Sequence, residues 1–458
     1  MLTPLDSRVS DRNAEALGTS VKDLMGNAGS AIAELLTERY PGRRLLFVCG
    51  SGNNGGDGFA AALRIDPSRT SVALLCEPSK IRSDESRFYY SILECPISRY
   101  EAGMLDSCDV IVDCALGTGM SGSVREPYKS FIEDANASGK PIVSVDIPSG
   151  IGTDTVIHPI CTITFMDVKD GMTDANSGEI IVSDIGIPYQ AYHEVGPGDM
   201  LRYPIPGRSS HKGQNGRLMV IAGGPYFGAP AMAAYSALRT GADIVRVFSP
   251  ESVHNDVARI SPVLMITDLP GDRLDGSSVD MLISESESYD AALIGPGLGT
   301  APETVEAVRA FVERCRIPLV VDADGLTAVA GTNLGGERIL TPHRGEFERL
   351  GGGNPEDLAR IMGCTILLKG SEDRITDGAR TRVNRTGTPA MTGAGTGDVL
   401  AGCVAALLSK GMSAFDSACL GAYICGKAGE VAFESKSYGL IATDLAESIP
   451  TVLREGLR

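Results

Sequence analysis

Short runs apolar at nearly every position recur after the first forty residues and alternate with stretches of helical periodicity. In the first half they are Leu45–Cys49, Val72–Cys76, Val110–Cys114, Ile142–Val145, Cys161–Phe165 and Ile180–Val182, with helices predicted at Ala60–Ile65 and Tyr128–Ala137. A strand apolar on both faces needs covering on both faces, so the pattern predicts a parallel, doubly wound sheet. From Gly196 to Gly216 the periodicity gives way to GPGDMLRYPIPGRSSHKGQNG, which reads as a linker. A second series follows: Leu218–Ala222, Ile244–Phe248, Ala292–Gly295, Leu319–Val321, Ile339–Leu340 and Ile366–Lys369. It closes with helical stretches at Asp398–Ser409 and Ala414–Phe433. The two series differ in spacing and loops, so they are two different α/β domains and not a repeat.

A length of 458 residues agrees with two domains. With 58 acidic against 41 basic residues the formal charge is −17. That balance argues against nucleic acid or an anionic membrane as partner, since both attract a positive field. No apolar run approaches the length of a membrane span, and MLTPLDSRVSDRNAEALG lacks the apolar core of a signal peptide. The 11 cysteines include no Cys-x-x-Cys and the 5 histidines no His-Glu-x-x-His, so neither a disulfide framework nor a zinc site is expected. The expected location is a reducing compartment, the cytoplasm.

Chemistry enters with MTGAGTGDVLAG, Met391 to Gly402. Small residues running into a helix start expose several backbone N–H groups, and with the helix dipole they make a seat for phosphate. Asp398 places a carboxylate beside that seat. It either stabilises its own helix start or takes a proton from a hydroxyl attacking phosphorus. Other second-half loops also follow strands: IGPGLG, VVDADGL, TPHRGE with His343 and Glu346, and KGSED with Lys369. There is no Walker A sequence.

In the first half, CGSGNNGGDG follows a strand, and Gly50, Gly52 and Gly55 satisfy the short dinucleotide fingerprint, with Glu77 at the end of the next strand. Asn53, Asn54 and Asp57 add polar side chains which that motif does not use. Asp113, Asp146 with Ser149, and Lys169 follow three further strands. Ends of parallel strands line one crevice, so these groups are candidates for a single site.

Taken together, the motifs resemble those of the bifunctional NAD(P)H-hydrate repair enzymes, an epimerase domain fused to a nucleotide-dependent dehydratase domain. The first half carries NNGGD, DCALGTGMSGS, DIPSG and VKDGM; the second carries HKGQNGR, GAPAMAA, GPGLG, DADGL, TPHRGE, KGSED and GTGDVLAG. The resemblance implies a Rossmann-like epimerase domain at residues 1–200 and a ribokinase-like dehydratase domain at 201–458. Its substrates would be the hydrates of NADH and NADPH, whose R and S epimers the first domain interconverts. The second would phosphorylate the ring hydroxyl of the S epimer, with ADP giving AMP, and eliminate phosphate.

Carried onto this chain, the resemblance makes Asp398 the base, with backbone of Gly395–Gly397 around the transferring phosphoryl group. Ala229, Gly299, His343 and Asp398 would touch the hydrate, while Lys369, Gly370, Ser371, Glu372, Asp373 and Gly397 would hold the nucleotide. In the first domain Asn53, Asn54, Gly55, Gly56, Asp57 and the run Gly117, Thr118, Gly119, Met120, Ser121, Gly122, Ser123 would bind substrate. Asp146 is the candidate acid/base, with Lys169 nearby. Asn54, Asp113 and Ser149 would ligate potassium, as hard oxygen donors suit a hard cation. Potassium, Mg²⁺ and ADP are the implied cofactors, and a homo-oligomer is expected.

One departure is Ala394, where the family usually has glycine; its methyl is strained if the backbone φ is positive. Two rivals remain at this point. One is a ribokinase-like kinase acting on a vitamin precursor or sugar, which would stop at the phosphate ester. The other is a dinucleotide-binding regulatory module with a dead catalytic half; the presence of both Asp146 and Asp398 argues against it.

Overall fold

The apolar runs of the first half are strands. In the computed structural model, which describes residues 2–119 and 122–457, they are β1 (Leu45–Cys49), β2 (Thr70–Leu74), β4 (Val110–Cys114), β5 (Ile142–Val145), β6 (Cys161–Phe165) and β7 (Glu179–Ser183). The short β3 (Ile97–Arg99) joins at the far edge, with only Ile97 apolar to mark it. All neighbours are parallel, in the order β3-β2-β1-β4-β5-β6-β7 among the described residues. The order reverses between β1 and β4, so the loops leaving Cys49 and Cys114 lie side by side there. That crevice is where open parallel sheets bind ligands. It is also tight: a Cβ on Gly50 would stand 1.9 Å from the Ala115 carbonyl oxygen.

Two features of this unit depart from the sequence reading. Helix Asn53–Ala62 begins inside the glycine run, not at Ala60. Its glycines are packing residues: a Cβ on Gly55 would stand 2.2 Å from the Gly50 oxygen, and one on Gly58 2.7 Å from the Cys114 sulfur. Helices Pro4–Ala16 and Val21–Arg39 precede the sheet. Leu2 pairs on both sides of Lys169, donating to Val168 O (3.0 Å) and accepting from Asp170 N–H (2.9 Å), which brings the first helix to the strand ends.

The second sheet runs β10-β9-β8-β11-β12-β13-β14-β15-β16 among the described residues. Its strands are β8 (Arg217–Ile221), β9 (Ile244–Pro250), β10 (Met265–Leu269), β11 (Ala291–Ile294), β12 (Leu319–Val321), β13 (Arg338–Leu340), β14 (Thr365–Leu368), β15 (Asp373–Thr376) and β16 (Thr381–Asn384). All are parallel up to β14, after which β15 and β16 turn back as antiparallel hairpins. Helices Gly228–Arg239, Thr396–Ser409, Ala414–Lys436 and Ala442–Gly456 contribute to a core cluster with one set of alternating strand residues, and Pro302–Arg314 and Val279–Ser286 to a second with the other set. Helix Thr396–Ser409 approaches Gly228–Arg239 closely because Gly402 has no side chain; a Cβ there would lie 2.2 Å from Ala233 O.

The chain divides into compact units Met1–Ala191 and Tyr192–Arg458. The stretch read as a linker is therefore part of the second unit. Val195 N–H bonds Val383 O (2.8 Å), fully buried Asp199 is ion-paired with Arg382, and Tyr203 OH donates to Thr240 O (2.9 Å). Gly and Pro marked irregular backbone correctly but said nothing of its distant partners. No described helix is long and apolar enough to cross a membrane.

Candidate active sites

In the first unit, the ends of β1, β4, β5 and β6 and the first two helices surround a cavity of ≈ 520 Å³. Asn53, Asn54, Asp57, Gly117, Thr118, Gly119, Asp146 and Lys169 line it, joined by Asp11, Arg82 and Tyr128. The chain leaves β5 through Asp146 in a left-handed conformation (φ 63°), uncommon for a residue with a Cβ. Its carboxylate lies 2.8 Å from Lys169 Nζ. Lys169 is 2 % exposed and also donates to Thr164 Oγ1 (3.0 Å) and Phe165 O (2.7 Å).

Two more carboxyls face this pair. Burial, with the charges of Asp146 and Asp11 added, pushes Asp57 well above the usual carboxylate range against the pull of Lys169. Burial, then Asp146, pushes Asp11 up to about 6, with Lys169 opposing. Carboxyls held in different environments can supply an acid and a base at one pH.

Beneath the Gly117 loop, fully buried Asp113 accepts from Ser149 Oγ (2.6 Å), Ser149 N–H (2.9 Å), Ser144 Oγ (2.9 Å) and Ala115 N–H (3.2 Å). Burial raises its carboxyl and these bonds pull it back. Asn54 Nδ2 donates to Leu116 O (3.0 Å), while Leu116 N–H donates to Ser149 Oγ (2.8 Å). Asn54 and Ser149 thus meet at Leu116, with Asp113 bound to Ser149, and Asn54 Oδ1 is buried with no hydrogen-bond partner. Gly55 and Gly56 pack against protein, Gly56 against Met25 and Ser86. Gly122 and Ser123 lie beyond the cavity wall, and Met120 and Ser121 fall outside the described residues.

In the second unit Gly395, at φ 89°, caps helix Thr396–Ser409, and Asp398 sits in its first turn. Ala394 is not among the left-handed residues, so its methyl adds no such strain. Burial and then the charge of Asp322 push Asp398 up to about 7, with Lys369 pulling down and Asp324 adding a smaller push. Lys369 leaves β14 and places Nζ 2.9 Å from Asp322. Burial works to lower Lys369, but Asp322, Glu346 and Asp398 raise it overall. A Cβ on Gly397 would stand 3.5 Å from Lys369 Nζ, so the helix start and this lysine share one place.

The other candidates gather around it. His343 pairs with Lys369 through the backbone and caps helix Arg344–Leu350, its Nδ1 accepting from Gly345 N–H (3.0 Å) and Glu346 N–H (3.2 Å). Gly299 N–H donates to Asp324 (2.8 Å), and Ala229 lies against Gly297 of the same loop, whose Cβ would come within 3.2 Å. Gly370, Ser371 and Glu372 form the turn into β15, where Asp373 accepts from Gly370 N–H (3.1 Å) and Asn384 Nδ2 (3.0 Å) and Glu372 pairs with Arg385. A second cavity of ≈ 420 Å³ opens beside Gly299, lined by Pro225, Arg273 and Thr304; Asp398 and Lys369 lie outside its wall.

Three residues escaped the sequence reading. Asp322 and Asp324 were legible, because they follow β12 as the other candidates follow their strands. Asp11 was not, since it lies on a helix before the first strand, with no strand-end position to mark it.

The chain matches the family described as NAD(P)H-hydrate dehydratase over residues 218–451, and that described as YjeF-related protein N-terminus over 21–171. A Bifunctional NAD(P)H-hydrate repair enzyme Nnr from Pyrobaculum aerophilum is 39% identical, over 99% of this chain and 98% of that protein. The protein of the same name from Methanothermobacter thermautotrophicus is also 39% identical, over 100% and 96%. Among solved structures, a ribokinase-like superfamily protein from Enterococcus faecalis is similar at TM-score 0.52 and 21% identity, covering 58% of this chain and 96% of its own. The ADP/ATP-dependent NAD(P)H-hydrate dehydratase from Bacillus subtilis, co-crystallised with ATP/Mg²⁺, is similar at TM-score 0.50 and 23% identity, covering 58% and 98%. These two likenesses carry the fold. The full-length relatives carry more, and by them the chain belongs to the bifunctional NAD(P)H-hydrate repair enzymes.

Proposed function

We propose that the chain restores hydrated NADH and NADPH, the second unit acting as a dehydratase and the first as an epimerase. The observation that carries this reading is Asp398 in the first turn of a helix, behind a left-handed glycine and beside Lys369. A carboxyl pushed up to about 7 is matched to taking a proton from a hydroxyl near neutral pH. In the S epimer, Asp398 takes the proton of the ring hydroxyl as its oxygen attacks the terminal phosphorus of ADP, and AMP departs. The backbone of Gly395–Gly397 receives the charge of the moving phosphoryl group. Phosphate then leaves that ring carbon while the neighbouring ring carbon gives up a proton to water, and the freed C–H electron pair forms the ring double bond. Ala229, Gly299 and His343 hold the hydrate; Lys369–Asp373 and Gly397 hold the nucleotide.

Mg²⁺ accompanies the nucleotide, since it binds mainly through substrate phosphates and keeps few protein carboxylates. In the first unit, Asn53, Asn54, Asp57 and Gly117–Gly119 hold the hydrate and Asp146 exchanges protons with it, oriented by Lys169. The orphaned Oδ1 of Asn54 beside Asp113 and Ser149 fits a potassium ion, which would supply positive charge beneath the Gly117 loop. A cytoplasmic homo-oligomer completes the proposal. The kinase alternative has no use for the first unit, and membership of both halves in one repair family leaves it without support.

The test mixes the purified chain with both epimers of hydrated NADH, Mg²⁺, K⁺ and either ADP or ATP, and follows NADH absorbance. Full recovery with ADP supports both activities and the donor. Recovery that stops at the S fraction overturns the role given to the first unit. No recovery with either nucleotide overturns the whole reading.

A further inference from the structure

The first helix brings to the epimerase cavity a carboxyl that the mechanism above leaves unused. Ser7, Arg8 and Asp11 lie on one face of Pro4–Ala16 and line the cavity with Asp57, Asp146 and Lys169. The helix is held at both ends. Leu2 pairs on either side of Lys169, and Asn13 Nδ2 donates to Ala191 O (3.2 Å). Asp11 is half-buried; no hydrogen bond contributes to its shift, and Asp146 and Lys169 are the charges that act on it. A helix residue serving only its own helix would be oriented to a cap or to solvent, not to a charged cavity.

We propose that Asp11 is the second acid–base group of this site, working together with Asp146. The inference rests on reading the first unit as the epimerase. Epimerisation of a ring carbon bearing a hydroxyl returns that hydroxyl to the other face. One proton must be given where oxygen leaves and one taken where it returns, and a single fixed carboxyl does not serve both faces. Asp11 in its neutral form gives its proton to the departing hydroxyl oxygen. The carbon–oxygen bond breaks, and the ring nitrogen lone pair forms a carbon–nitrogen double bond. Water adds to the opposite face of that carbon, the electron pair returns to nitrogen, and Asp146 takes the proton released by the new hydroxyl. The reverse epimerisation runs the same transfers backwards, so Asp11 and Asp146 exchange protonation states in each passage.

The electrostatics agree with this use. Asp11, held up to about 6 by burial and then by Asp146, is protonated in part near neutral pH and can cycle, whereas Asp57 is pushed further up. The groups facing it are Asp57, Asp146 and Lys169, with Arg8 and Arg82 elsewhere on the cavity wall.

The experiment uses the full chain, the R hydrate of NADH and no nucleotide. The epimer ratio is followed by NMR across roughly pH 5–9. Asp11→Asn is expected to lower the epimerisation kcat by about a hundredfold or more with KM within about twofold, while dehydration of the S hydrate is retained. Asp11→Glu, which keeps the acid, is expected to recover about a tenth of the rate or more. The wild-type rate in the direction that needs neutral Asp11 falls as pH rises past its titration, and the Asn variant lacks that limb. An Asn variant within about threefold of wild type overturns the proposal, as does a loss confined to KM, an unchanged alkaline limb, or failure of Glu to recover activity. A wild-type chain that does not interconvert the epimers at all overturns the epimerase reading itself.

Discussion

The Asp146 carboxylate lies 2.8 Å from Lys169 Nζ, joining the end of β5 to the loop that follows β6. Each residue is held in a state it would avoid alone. Asp146 has φ 63°, which costs a side-chain-bearing residue about 1–2 kcal/mol, and Lys169 is 2 % exposed. The pairing, with the Thr164 and Phe165 oxygens on the same ammonium, keeps a buried charge and a left-handed backbone in place together.

Asp146→Asn is therefore expected to stop use of the R hydrate while S-hydrate dehydration continues. Losing acid–base help lowers a rate by roughly a hundred- to ten-thousand-fold. Kinetics on separated epimers in the presence of ADP check it: R-hydrate consumption at the wild-type rate would remove Asp146 from the mechanism.

Asp398 makes the corresponding prediction for the second unit. Asp398→Asn should lower dehydration by roughly a hundred- to ten-thousand-fold and leave epimerisation intact. Because the base must be ionised, wild-type dehydration rises with pH up to about 7 and then levels off. A rate independent of pH between about 5 and 8 would be incompatible with Asp398 as the rate-limiting base.

The same carboxyl predicts a stability effect of opposite sign to the activity effect. Its folded-state value is raised, so its neutral form is the one the fold favours. That preference is fully present below the unfolded value near 4 and is lost as pH rises through about 7. At pH near 8, Asp398→Asn should then be more stable than wild type by about 1–3 kcal/mol, allowing for partial solvation; near pH 4 the difference should vanish. Thermal melts of the second-unit transition at both pH values test it, and an Asn variant less stable at high pH would contradict the placement of Asp398 among Asp322 and Asp324.

These sites were legible to the extent that they sit at strand ends. Asp146, Lys169, His343 and Lys369 follow parallel strands, while Asp113, read as following one, is the fourth residue of β4, where its side chain is buried beneath the Gly117 loop. What sequence did not show depends on distant partners. Nothing local told that Gly55 and Gly58 must lack a side chain because a carbonyl and two sulfurs lie against them, or that Asp199 in a Gly/Pro-rich stretch pairs with Arg382. Asp11 was hidden for the same reason, since the Leu2 pairing that brings its helix to Lys169 joins the two ends of the first unit.

Potassium gives a prediction in the first unit alone. Asn54 Oδ1 is buried and unpartnered, so a cation there relieves an orphaned acceptor whose desolvation costs about 1–3 kcal/mol. Exchanging K⁺ for a bulky organic cation should lower epimerisation and the first-unit melting temperature together, leaving dehydration less affected. An epimerisation rate and melting curve both indifferent to K⁺ would exclude the site.

Gly295 tests whether the Asp322 loop organises the dehydratase site. It leaves β11 at φ 129°, donating to Ile221 O (3.2 Å) and accepting from Leu298 N–H (3.2 Å). A Cβ there would stand 1.8 Å from the Asp322 carbonyl oxygen, and that backbone contact has no flexible end to yield. Asp322 accepts from Lys369 Nζ (2.9 Å) and Thr341 Oγ1 (2.7 Å), while Asp324 holds Gly299 N–H (2.8 Å). One methyl group on Gly295 therefore displaces supports of both the nucleotide side and the hydrate side. Gly295→Ala should cost the second unit about 1–3 kcal/mol and lower dehydration about a hundredfold, since an ångström of misplacement suffices for that. Gly331→Ala separates steric from conformational causes. Gly331 also has positive φ, 73°, but a Cβ there meets nothing within 4 Å. It should cost about 1–2 kcal/mol of backbone strain with dehydration unchanged. Equal activity losses in the two variants would mean that general loosening of the unit, and not the Asp322 loop, governs the chemistry.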